Sequence, residues 1–107
     1  MKTLEIFYHF KDIPGVDPSA SFSAEALDFR NSAMELIEAA LAEEGLGEWV
    51  GAESGSGEVN FGFDVEDFDA AEAAVRRAVK GTPYESISRI ERNEFDPEAF
   101  LREQSDS

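Results

Sequence analysis

The chain contains no cysteine. That removes disulfide cross-links, thiolate metal ligands and a cysteine nucleophile together. Histidine occurs once, as His9, so a histidine-rich zinc site is excluded as well. Basic residues are scarce: nine Lys and Arg stand against 24 Asp and Glu, a formal net charge of −15. A surface of that sign repels phosphate backbones and anionic bilayers, which argues against nucleic acid and membrane as partners. No apolar run approaches the roughly 20 residues that span a bilayer. The opening MKTLEIFYHFKD is too short in its apolar patch, and too charged after it, for a secretory signal. The expected location is cytoplasmic.

What is present suffices for one core. A chain of 107 residues fits a single domain. With 42% hydrophobic residues, nine of them Phe, it has the bulk to exclude global disorder.

Residues 2–10 alternate, with Leu4, Ile6, Tyr8 and Phe10 on one face and Phe7 and His9 on the other, which predicts a strand. The stretch KDIPGVDPSASFS is rich in turn residues and reads as a long loop. A helix is expected from Ser23, whose hydroxyl suits an N-cap, with Phe22 stapled to Leu27. Its apolar arc, Leu27, Phe29, Ala33, Met34, Leu36, Ile37, Ala40 and Leu41, covers about half the circumference, and Gly45 fits the left-handed position after its end. GEWVGAE and EVNFGFDV, joined by a Gly-rich connector, predict a hairpin whose first strand is the weaker and lies at an edge, with Glu48 and Glu53 discouraging further pairing. A second helix is expected from a D-x-x-E capping box at Asp69 and Glu72 to Gly81. YESISRIERNEF predicts a last strand, with a bulge because Ile87 and Ile90 are out of phase.

This β-α-β-β-α-β order over residues 2–95 resembles a ferredoxin-like split βαβ sandwich. The resemblance implies a four-stranded antiparallel sheet with two helices on one face. The expected organisation is one α+β domain over residues 1–95, followed by a short C-terminal helix and frayed tail at 96–107. The resemblance carries no family motif, and the fold supports many functions.

Three features mark candidate sites. Charge is polarised along the chain: residues 31–75 contain twelve acids and no Lys or Arg, whereas residues 76–92 hold five basic residues and two acids. Such a block suits capture of a basic protein. It also suits solubility or high-salt adaptation, which six Arg against three Lys fits. Arg30 falls inside the apolar arc of the first helix and is a candidate for binding an anion or anchoring the preceding loop through Asp12 or Asp17. The sheet face away from the helices is expected to carry Phe7, His9, Asn60 and Asp64, and Trp49 if Val50 points inward. Exposed aromatic rings there predict an interface or a ligand wall.

His9 beside Asp64 would make a general base near neutral pH, but no nucleophile or oxyanion site accompanies it. The acids Asp64, Glu66, Asp67 and Asp69 do not have the spacing of an EF-hand loop and are explained by helix capping, so no metal or cofactor is expected. The leading expectation is a non-catalytic interaction domain, a homodimer through the open sheet face and/or a binder of a basic protein in the manner of an inhibitor or immunity protein. The alternative is a small-molecule-binding or enzymatic domain with its site on that open face.

Overall fold

Alternation in residues 2–9 produces the central strand. The computed structural model describes residues 2–20, 23–55 and 57–94, the side chains of 53–55 excepted. Strand β1 (Lys2–His9) pairs antiparallel with β3 (Glu58–Val65) on one side and with β4 (Arg89–Glu94) on the other. Strand β2 (Gly47–Gly55) pairs antiparallel with β3, giving a four-stranded sheet in the order β2-β3-β1-β4. The fold is α+β, with helices α1 (Ala24–Glu44) and α2 (Phe68–Val79) packed against each other and against the sheet. The C-terminal helix expected at 96–107 and the Phe22 staple lie outside the described residues.

One sheet face forms the core. Leu4, Ile6, Tyr8, Val59, Phe61 and Phe63 are buried there with Ala33, Ile37 and Leu41 of α1 and Ala71, Ala74, Val75 and Val79 of α2. The i, i+4 spacing of residues 33, 37 and 41 is what gives α1 its buried stripe. The alanines of α2 bring its backbone close to a sheet whose bulk comes from Phe and Tyr. Aromatic rings then run in series. Phe63 meets Phe61 edge-on at 5.8 Å, Phe61 meets Tyr8 at 6.1 Å, and Phe29 stands edge-on between Tyr8 and Tyr84, 5.0 Å from each.

Local signals place the helix ends. Ser23 accepts a hydrogen bond from the Ala26 amide at 3.1 Å, and Gly45 takes φ 66° with its amide donating to the Leu41 and Ala42 carbonyls. The second helix starts earlier than the D-x-x-E spacing predicts. Asp67 is its N-cap, accepting from the Ala70 amide at 3.1 Å, so Asp69 sits in the first turn. Asp69 and Glu72 instead bind Arg92 of β4, at 3.0 and 3.3 Å. That cross-element pairing replaces the reciprocal capping box.

Three further expectations are corrected. The first strand ends at His9, and Phe10 turns into a short 3-10 segment, Phe10–Asp12, still buried. The last strand is short, because Tyr84 and Ile87 belong to the turn and extended segment before Arg89 and pack on the core from there. Its register with β1 is regular, and the bulge falls in β2, between Trp49 and Gly51. Ile87 precedes the strand, so its phase against Ile90 required no bulge in β4.

The long loop after β1 is fastened at both ends of its first half. Phe10 and Ile13 enter the core, and the Phe10 amide donates to the Gly57 carbonyl at 2.8 Å. Asp12 receives two serine hydroxyls, Ser86 on its carbonyl and Ser88 on its carboxylate, each at 3.1 Å.

Tyr8 ties the sheet to the segment after α2: its hydroxyl donates to the Tyr84 carbonyl at 2.7 Å. Burial, with Tyr84 adding to it and Arg76 opposing it, raises the Tyr8 pKa well above its ordinary value of 10.0. Below pH 10 both folded and unfolded chains keep this proton. Above it the unfolded chain ionises first, so stability falls as pH rises. Tyr8→Phe is therefore expected to cost about 1–2 kcal/mol at neutral pH, by orphaning the Tyr84 carbonyl. The gap between wild type and variant should shrink as pH rises past 10, as measured by denaturant titration at several pH values.

Candidate functional site

The face of the sheet away from the helices is assembled by register alone. In β1 the residues opposite Leu4, Ile6 and Tyr8 are Thr3, Glu5, Phe7 and His9. Their partners on β3 are Asp64, Gly62, Asn60 and Glu58, and on β4 Phe7 faces Arg89 and Glu5 faces Glu91. Phe7, His9, Asn60 and Asp64 therefore share this face.

Phe7 is not an open aromatic on it. Only 6% of its surface is exposed, because the Arg89 guanidinium lies 3.8 Å from its ring centroid. Arg89 reaches over β1 to Glu58 on β3, making two hydrogen bonds to its carboxylate, and its Nε donates to Glu91 at 3.2 Å. These contacts hold the Arg89 pKa above its ordinary value, the Glu58 hydrogen bond being the largest cause. A planar cation stacked on a ring and held by two carboxylates is a cover supplied by the chain itself. The expectation of an exposed Phe7 omitted this cover, since Arg89 lies far away in sequence.

Trp49 also departs from expectation. It pairs with Phe63, whose side chain faces the core, so the register puts Trp49 on the helix side. Its place on the edge strand leaves it 44% exposed. The bulge turns Val50 to the open face instead, where it stands near Gly62 and is 50% exposed.

His9 and Asp64 share the face but not a site. His9 pairs with Glu58 and Asp64 pairs with Thr3, six residues along β1, or about 20 Å. They cannot act on one proton. His9 Nδ1 and Asp64 Oδ1 are each buried without a hydrogen-bond partner. Arg30, half-buried on α1, donates from Nε and Nη2 to Asn31 Oδ1 at 3.2 and 3.0 Å. The loop is held by Ser86 and Ser88 on Asp12, while Asp17 binds Ser19. The serines 86 and 88 were the residues that spacing gave no reason to single out.

Two hollows adjoin this face. Over Gly62, a groove of ≈ 270 Å³ is bounded by Thr3, Glu5, Val50, Ala52 and Asn60. That is below the roughly 300 Å³ at which ligand pockets begin. At the start of β2 an open cleft of ≈ 520 Å³ lies among Leu46, Gly47, Glu48, Asp64, Val65 and Glu66. Gly47 is required beside it, because a Cβ there would lie 2.9 Å from the Asp64 carbonyl oxygen. Among the described residues no group of three or more His, Asp or Glu is placed to hold a metal ion. No helix there is long and apolar enough to cross a membrane.

The ion pairs decide how charge is distributed. Arg89 binds Glu58 and Glu91, Arg92 binds Asp69 and Glu72, and Arg77 binds Glu44. All of these cations lie on α2 or β4. Among the described residues, Glu44 is the only acid of α1 in an ion pair; Glu25, Asp28, Glu35, Glu38 and Glu43 have no cation, and neither has Glu48 of β2.

Removing the cover on Phe7 tests the open face. Arg89→Ala is expected to lower the melting temperature and increase binding of an apolar dye, because Phe7 then stands bare. Arg89→Lys should restore the charge but not the planar cover. Unchanged melting and dye binding in Arg89→Ala would show that Phe7 is shielded by another group. No protein-family model, curated protein or solved structure matches this chain.

Proposed function

We propose that this protein is a non-catalytic interaction domain whose working surface is the acidic face of α1 with the adjoining edge strand β2, and whose partner is a basic protein. The observation that carries this reading is the separation of charge. Arg89 and Arg92 of β4 pair with Glu58, Glu91, Asp69 and Glu72, while among the described residues every acid of α1 except Glu44, which binds Arg77, has no cation. A run of unpaired acids along one helix concentrates the negative field there. A confined field raises the rate of encounter with an oppositely charged surface and rejects acidic competitors. Trp49 and Val50, exposed on the neighbouring strand, supply the apolar contact that charge alone lacks. Inhibitors and immunity proteins of basic enzymes work on this plan, and the reading extends to that class.

The open sheet face supports the alternatives less well. Phe7 is covered, His9 and Asp64 stand far apart, the groove over Gly62 is small, and the larger cleft lies at the Asp64 end of β3, away from Phe7 and His9. For the fold we propose the ferredoxin-like split βαβ sandwich. Its support is the element succession together with an antiparallel sheet in the order β2-β3-β1-β4.

Affinity capture from extract at low salt, with a variant carrying Glu35→Gln, Glu38→Gln and Glu43→Gln as control, tests the function. The wild-type chain should retain a protein of high isoelectric point that is released by salt. Association with that protein should slow about tenfold in the variant. Capture of nothing basic, or equal capture by both chains, would overturn the reading.

A further inference from the structure

The sheet has two edges, and they are guarded differently. Strand β4 reads Arg-Ile-Glu-Arg-Asn-Glu, with charges of both signs engaged in ion pairs. Strand β2 exposes Trp49 and Val50, the large apolar side chains with the greatest exposure among the described residues. The shift of register between Trp49 and Gly51 sends them to opposite sides of the sheet, so they straddle the free edge. Next to Val50, a Cβ on Gly51 would meet nothing within 4 Å, so the sheet face there is uncrowded.

An edge with free amides and carbonyls and flanking apolar side chains is a template for a further strand. Apart from the bulge at Trp49 and Gly51, its guard is charge of a single sign. Glu48 is exposed on β2, and α1, which packs over β2 and β3, carries the unpaired acids. Such a guard repels an acidic strand, including the β2 of a second copy of a chain with net charge −15. It attracts a strand that carries cations.

We propose that β2 is the docking edge for an extended arginine- or lysine-rich segment of the partner, which adds to the sheet as a fifth strand. Its apolar residues lie on Trp49 and Val50, and its cations lie toward Glu48 and the acidic face of α1. This rests on the acidic surface being the working surface, and specifies how the partner is held.

The test is titration of the whole protein with a blocked peptide alternating arginine with valine or threonine, at low salt. Trp49, the single tryptophan, reports binding by its emission, and backbone amide exchange over residues 47–52 reports pairing. The expected result is a blue shift and slowed exchange in that stretch. The same peptide N-methylated on alternate amides keeps every charge but cannot pair, and should bind about tenfold more weakly. Equal binding of the N-methylated peptide would overturn the docking edge while leaving the acidic-surface reading standing. Slowed exchange on α1 without change on β2 would do the same. Equal binding of a glutamate-for-arginine peptide would overturn both readings. A free protein already dimeric, with its β2 amides protected, would overturn the proposal in favour of a second copy. Trp49→Ala, at an exposed edge position, should keep the fold by circular dichroism and weaken the peptide several-fold.

Discussion

Strand β1 must be shielded on both faces, and the rest of the domain follows from how each face is covered. On one side Leu4, Ile6 and Tyr8 are fully buried beneath the helices. On the other, Phe7 is closed off by a guanidinium rather than by a second layer. A two-layer α+β domain normally leaves the second sheet face to polar side chains. Here an apolar ring stands at its centre, and Arg89 with its two carboxylates makes that tolerable. Tyr8 adds the link that fixes the chain after α2, so that β4 arrives with Arg89 opposite Phe7.

That arrangement shapes the distribution of charge. With nine basic residues in the chain, those used to cover Phe7 and to join β4 to α2 are not available to α1. The ion pairs thus gather on β4 and α2, and five of the six acids of α1 have none among the described residues. Exposed pairs add little to stability. Their consequence is in the surface field, which is directional, and a directional field is the property that suits a charged partner.

The two sheet edges divide along the same line. β4 is occupied by the pairing that holds the domain together, while β2 carries a bulge, two apolar side chains and a guard of one sign. A register slip of one residue at Trp49 decides which side of the sheet the single tryptophan joins, since side chains alternate with period two.

Much of the fold was legible in the chain because its signals are local. Alternation marked β1 and β3, the broad apolar arc of α1 included the buried Ala33, Ile37 and Leu41, and Ser23 and Gly45 set its ends. Net charge, the lack of cysteine and the acidic block between Arg30 and Arg76 are likewise properties of composition and order. The start of α2, the bulge in β2, the cover over Phe7 and the separation of His9 from Asp64 were decided only when strands distant in sequence were brought side by side. Arg89 could be assigned to Phe7, and Asp69 and Glu72 to Arg92, only once strands distant in sequence were paired. Local propensity determines which segments form strands and helices. Which charge neutralises which, and hence which surface is left to act, depends on register, and register is fixed by burying one face of the whole sheet at once.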